Sequence, residues 1–211
     1  MKMNQNFQVL SLTGGTGAGK GAVSHLLEEH GIPVLDTDRV CRIVYEPGQP
    51  CMAALADAFG TDILRRDGTL DRAHLAALVF GEQDPAKKQE KLSTLNGIAH
   101  HYILAYCRDW LRVQRDSGIS AACIDAPQLF ESGFDRECDF IIGVTAERET
   151  RIARICARDG IDRTQAEQRI AAQHDDAFFA GRCDVIVENN GTTDELVPRV
   201  REILAARGLL R

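Results

Sequence analysis

The stretch Gly14-Gly15-Thr16-Gly17-Ala18-Gly19-Lys20 follows the apolar run 7–12 and opens a segment with helical spacing. Its four glycines let the backbone wrap around an anion and turn successive N–H groups inward. A helix starting there contributes about half a positive charge at its N-terminus. Lys20 adds a mobile cation suited to the β and γ phosphates. A G-x-x-x-x-G-K pattern between strand and helix therefore predicts a nucleoside triphosphate site, with the phosphates held along Gly15, Thr16, Gly17, Ala18, Gly19, Lys20, Gly21 and Ala22. A dinucleotide G-x-G-x-x-G does not fit, because its third glycine would fall on Lys20 or Ala22. After the lysine, such loops usually place a Ser or Thr that ligates Mg²⁺. Here Gly21 and Ala22 stand instead, so Mg²⁺ is expected to be held by phosphates, waters and carboxylates from elsewhere. Asp36, Asp38 and Asp125 are the candidates, and no residue is assigned as a dedicated metal ligand.

Working outward, further apolar runs at 32–35, 121–124, 140–144 and 185–187 alternate with segments of helical spacing. That alternation predicts an α/β fold with a five-stranded, mostly parallel sheet covered by helices. After the loop, Val23, Leu26 and Leu27 mark the buried stripe of the first helix, and Gly31 its C-terminal cap. Polar or turn-forming residues close the runs: Thr13, Asp36 with Asp38, Asp125 with Pro127, Thr145, and Asn189-Asn190-Gly191. In open α/β sheets ligands sit at this carboxyl edge.

The interval 39–118 is too long for a simple crossover. Its apolar residues recur at helical spacing (Met52, Leu55, Ala56, Phe59; Leu75, Leu78, Val79), predicting a helical insertion that offers a second ligand surface. Asp36-Thr37-Asp38 could orient an acceptor hydroxyl and take its proton, or simply cap the next helix. Arg148, Arg151, Arg154 and Arg158 form one stripe if their segment is a single helix. Arg154 and Arg158 are read as lid arginines within a lid at about 147–182, and Arg148 as part of a solvated face.

The 211 residues carry a formal net charge of -6, which argues against a nucleic-acid partner. Seven cysteines without a C-x-x-C pair read as reduced, space-filling thiols. No apolar run reaches membrane-spanning length and no secretory pattern opens the chain. The expectation is one domain over 1–211, soluble and cytoplasmic, with no membrane partner, as a monomer or weak homo-oligomer.

In order, the loop is followed by Gly31-Ile32-Pro33-Val34-Leu35-Asp36-Thr37-Asp38, Glu46-Pro47-Gly48, Phe59-Gly60, Asp67-Gly68-Thr69-Leu70-Asp71-Arg72 and Val79-Phe80. Leu95-Asn96 with His100, Asp125-Ala126-Pro127-Gln128-Leu129-Phe130-Glu131, Arg158-Asp159 with Gln173, and Cys183-Asp184-Val185-Ile186-Val187-Glu188-Asn189-Asn190-Gly191 complete the series. This series resembles the dephospho-CoA kinase family over nearly the whole chain. The resemblance implies a P-loop kinase with a five-stranded parallel core, a helical substrate-binding region and an arginine-rich lid. It implies transfer of the ATP γ-phosphate to the 3′-hydroxyl of dephospho-CoA, with Asp38 as catalytic base and Lys20 on the phosphates. Departures fall at Gly21 and Ala22, at His100-His101 where the family has His-Pro, and along 175–181. The alternatives are a related P-loop nucleoside or nucleotide kinase, and a nucleotide switch. The switch lacks its usual N-K-x-D segment.

Overall fold

The computed structural model describes residues 7–210, so the expected span 1–211 extends at both ends outside the described residues. The chain divides into two compact units. One holds the residues up to Asp36 and from Leu111 onward, and the other is Thr37–Trp110.

The first unit is built on five strands: β1 (Gln8–Thr13), β2 (Val34–Asp36), β3 (Ala121–Asp125), β4 (Phe140–Thr145) and β5 (Val185–Glu188). They pair in the order β2-β3-β1-β4-β5, every pair parallel. Near-continuous apolar runs such as Ala121-Ala122-Cys123-Ile124 suit strands buried on both faces, as parallel sheets require. The second run forms strand only at Val34–Asp36. There Pro33 lacks an N–H, but its carbonyl still accepts from the Cys123 amide at 2.9 Å.

On one face lie α1 (Lys20–Glu29) and α10 (Thr193–Ala206), whose Val23, Leu26, Leu27, Val200 and Leu204 join Leu10, Leu12 and Val144 in the core. Gly31, at φ +78°, ends α1 by donating to the Glu28 carbonyl at 2.9 Å, a left-handed stop that only glycine takes cheaply. The intervening helices are α2 (Thr37–Val44), α3 (Pro50–Phe59), α4 (Arg72–Phe80), α5 (Pro85–Asp116), α6 (Leu129–Ser132), α7 (Arg148–Asp159), α8 (Arg163–Ala171) and α9 (Asp176–Ala180). Helices α7 and α8 form a hairpin around Ile152, Ile155 and Ala166, and an Asp162–Gln165 capping box starts α8.

The second unit is helical, as its spacing predicts. A turn at Asp67-Gly68, in which Asp67 accepts from the Thr69 amide at 3.0 Å, carries the chain back for a Leu64–Leu70 bridge. Arg72 stacks over Tyr45, and Lys91 Nζ donates to Glu82 at 2.8 Å and to the Leu78 carbonyl at 3.1 Å. A cavity of about 490 Å³ opens between α3, α4 and the start of α5, bounded by Phe59, Leu78 and Lys91 among others. No helix among the described residues is long and apolar enough to cross a membrane.

Candidate active site

Strand register brings the carboxyl ends into line. Asp36 pairs with Asp125, and Leu12 on the neighbouring strand pairs with the same Asp125. The phosphate loop leaves β1 here, and each of its glycines is demanded by a neighbour. A Cβ on Gly14 would run into the Val144 carbonyl, and one on Gly15 into the Arg151 guanidinium. At Gly17 (φ +77°) it would stand 2.7 Å from the Arg151 carbonyl oxygen, and at Gly19 (φ +86°) it would strike the Asn189 amide. Gly19 precedes α1 and has no side chain to cap it, so the first-turn amides face the loop. Lys20 opens the helix, its ammonium donating to the Gly14 carbonyl at 3.3 Å.

Distant side chains hold the loop from outside. The buried Asn189, 4% exposed, donates to the Ala18 carbonyl at 3.0 Å and the Gly19 carbonyl at 3.3 Å. Arg154 donates to the Asn189 carbonyl at 2.9 Å and its side-chain oxygen at 3.2 Å, with longer contacts to the Gly17 and Ala18 carbonyls. Gln173 accepts from the Thr16 amide at 2.7 Å, while Arg151 donates to the Thr16 carbonyl at 2.9 Å. Arg158 is exposed, with one nitrogen 3.5 Å from the Thr16 hydroxyl and two bonds to Asp159. Those bonds, then the nearby Arg169 charge, hold the Asp159 carboxyl below the ordinary aspartate range.

The four arginines do lie on one helix. Arg148 occupies its exposed side, 3.3 Å from Glu167. Arg154 is already engaged on carbonyls, and Arg158, like Arg148, is largely exposed. Burial pushes the Arg151 guanidinium pKa down, opposed by the charge of Asp176 at 3.6 Å. Sequence reasoning placed Arg151 in the stripe without a role. The signal was Gly15, whose missing side chain leaves room for that guanidinium.

Ser24 also went unnoticed. One turn after Lys20, its hydroxyl donates to Asp125 at 3.2 Å. A Cβ on Gly21 meets nothing within 4 Å, so the position lacking a hydroxyl has open space beside it. Oxygen donors with room for waters suit Mg²⁺, which sheds its hydration reluctantly. Asp38 lies in the first turn of α2, immediately after Asp36 closes β2. All seven cysteines are free thiols. Burial pushes several upward, Cys138 to about 12, which leaves them neutral packing groups rather than nucleophiles.

Residues 8–195 match the family model described as dephospho-CoA kinase. A dephospho-CoA kinase of Corynebacterium glutamicum is 38% identical over 196 residues, covering 93% of this chain and 95% of that protein. One from Geobacter sulfurreducens is 37% identical, covering 94% and 98%. Among solved structures, a Thermus thermophilus protein superimposes with a TM-score of 0.76 at 28% identity, covering 96% of this chain and 98% of its own. The fold is shared more distantly with a Campylobacter jejuni dephospho-CoA kinase, TM-score 0.66 at 19% identity, covering 94% and 96%. By sequence and by fold, the chain belongs to the dephospho-CoA kinase family.

Proposed function

We propose that this chain runs the family's reaction with the loop 14–20 as its ATP site and Asp38 as its base. The reaction transfers the γ-phosphate of ATP to the 3′-hydroxyl of dephospho-CoA, giving coenzyme A and ADP, the last step of CoA biosynthesis. The observation that carries the residue assignment is the loop itself: glycines closed in by neighbours, a helix start with no side-chain cap, and Lys20 at that start.

Phosphoryl transfer needs positioning and charge neutralisation more than covalent chemistry. Lys20 and the loop amides, that of Gly17 among them, bind phosphate oxygens. Asp38 orients the ribose hydroxyl and takes its proton. Segment 147–182 serves as the lid, with Arg154 its anchor to the loop and Arg158 its phosphate-facing cation. Mg²⁺ bound with ATP would be held by phosphates and waters, with Asp36, Asp38 and Asp125 as the carboxylate candidates, and would neutralise phosphate charge. Closure excludes water, which limits wasteful hydrolysis. The protein works in the cytoplasm on these two small molecules, as a monomer or weak homo-oligomer.

The test is a panel of acceptors incubated with ATP and Mg²⁺ while ADP release is followed. Turnover is expected with dephospho-CoA. Turnover with a nucleoside or nucleotide but none with dephospho-CoA would replace this reading with that of a related P-loop kinase.

A further inference from the structure

Thr16 is held at both ends of its own backbone by side chains from far along the chain. Its N–H, which belongs to the Gly15–Thr16 peptide, donates to Gln173 Oε1 at 2.7 Å. Its carbonyl, which belongs to the Thr16–Gly17 peptide, accepts from Arg151 Nε at 2.9 Å. In a trans peptide the C=O and the following N–H point in opposite directions. Tying the Thr16 carbonyl outward onto Arg151 therefore aims the Gly17 N–H away from α7. The same geometry works one peptide earlier, where the Gly15 carbonyl turns opposite to Gln173 and accepts from the Ala18 amide at 3.2 Å.

Gly17 makes this hold necessary. A glycine after a peptide bond makes rotation of that peptide plane cheap, since both signs of φ are open to it. Larger residues are shut out at Gly17, where Arg151's own backbone crowds the missing Cβ. The loop must keep a residue that permits flipping, and something else must prevent it.

Arg151 is built for that task at some cost. It is 5% exposed, and its Nη2 has no hydrogen-bond partner among the described residues. Among the described residues its single charge partner, Asp176, stands 3.6 Å away and is itself more than half exposed. A buried guanidinium so thinly compensated is unfavourable for folding alone. We infer that Arg151 is a positioning residue: it locks the Thr16–Gly17 peptide so that the Gly17 N–H donates to a phosphate oxygen of the nucleotide. Through this one side chain α7 thereby sets the shape of the ATP site without Arg151 itself touching the ligand. This rests on the assignment of the loop as the ATP site.

The experiment pairs Arg151→Met, which keeps the apolar stem and removes the donors, with Arg151→Lys, which keeps the charge without the Nε donor. KM for ATP is expected to rise about tenfold in both, the equivalent of one good hydrogen bond. KM for dephospho-CoA should change less than twofold. The Gly17 amide resonance is expected to move downfield when ADP is added to the wild-type protein, and to stay put in Arg151→Met. Full recovery in Arg151→Lys would mean that charge alone matters and would overturn the locking role. So would a Gly17 shift of wild-type size in Arg151→Met. If no amide from 17 to 20 moves in the wild-type protein, the ATP-site assignment itself fails. Should Arg151→Met not fold, Arg151→Gln supplies the same two readings.

Discussion

The phosphate loop and the helical unit are held together in opposite ways. Around the loop, side chains from far along the chain reach backbone groups. Asn189 meets Ala18 across 171 positions, Gln173 meets Thr16 across 157, and Arg151 meets Thr16 across 135. Within the helical unit, characteristic polar contacts join near neighbours, such as Lys91 with Glu82 nine positions away and His74 with Asp62 twelve away. Long-range bonds to a backbone fix its shape to the whole fold. Short-range pairs between exposed side chains secure a helix end or a turn and leave the surface free to vary. A loop that must present amides at defined angles needs the first arrangement.

The largest expected effect lies where the helical unit begins. Asp38→Asn should lower kcat by about 10²–10⁴-fold, the range for a lost general base, while nucleotide binding stays near that of the parent. Following ADP release alongside a nucleotide titration separates the two. Retention of turnover would move the base elsewhere, to Asp36 before any other residue. Next comes Gly17→Ala. Left-handed backbone costs a residue with a Cβ about 1–2 kcal/mol, and the new methyl would press on the Arg151 carbonyl. A fall in Tm and at least about a tenfold loss of ATP affinity should follow, measured by thermal melts and nucleotide titration. Unchanged affinity would mean that the loop tolerates a shift of α7.

These two positions also mark how unequally the sequence could be read. Gly17 was legible because chemistry and packing ask for the same residue. The spacing named the motif, and the structure adds that Arg151 and Asn189 leave no room for anything larger than glycine at 15, 17 and 19. The sheet was legible because parallel strands buried on both faces become unbroken apolar runs, though Ile32 and Pro33 fell outside β2. The holders of the loop were harder to find. Arg151 and Arg154 sit three apart on one helix, and periodicity cannot say that one reaches the Thr16 carbonyl and the other Asn189. Ser24 looked like an ordinary helix residue, because its partner Asp125 lies 101 positions away. Contacts of that range are created by topology and leave no local pattern.

A pair of substitutions measures the contrast directly. Asn189→Ala removes a buried amide, takes one donor each from the Ala18 and Gly19 carbonyls and leaves Arg154 Nη2 without its acceptor. Stability should fall by about 1–3 kcal/mol, and KM for ATP should rise with it. Lys91→Ala removes a half-exposed pair with Glu82 and a bond to the Leu78 carbonyl, and should cost about 0–1 kcal/mol, with KM for ATP unchanged. Denaturant titration of both variants gives the comparison, and equal losses would erase the distinction between the two regions.

The smallest effect is expected at Gly21, and its smallness is informative. A side chain there meets no neighbour within 4 Å, so Gly21→Ser introduces no clash. Serine in the first turn of α1 should raise stability slightly, by about 0.5 kcal/mol or less. The added hydroxyl would stand where P-loop enzymes usually carry a metal ligand. If waters and carboxylates already complete the Mg²⁺ shell, replacing one water by a hydroxyl changes little, because the two oxygens are chemically alike. Activity at saturating Mg²⁺ should then stay close to that of the parent, and only the Mg²⁺ concentration giving half-maximal rate should fall. A large gain at saturating Mg²⁺ would point the other way. It would mean that the open space beside Gly21 leaves the metal underligated during transfer, and that the loop, so tightly held elsewhere, is incomplete at its final position.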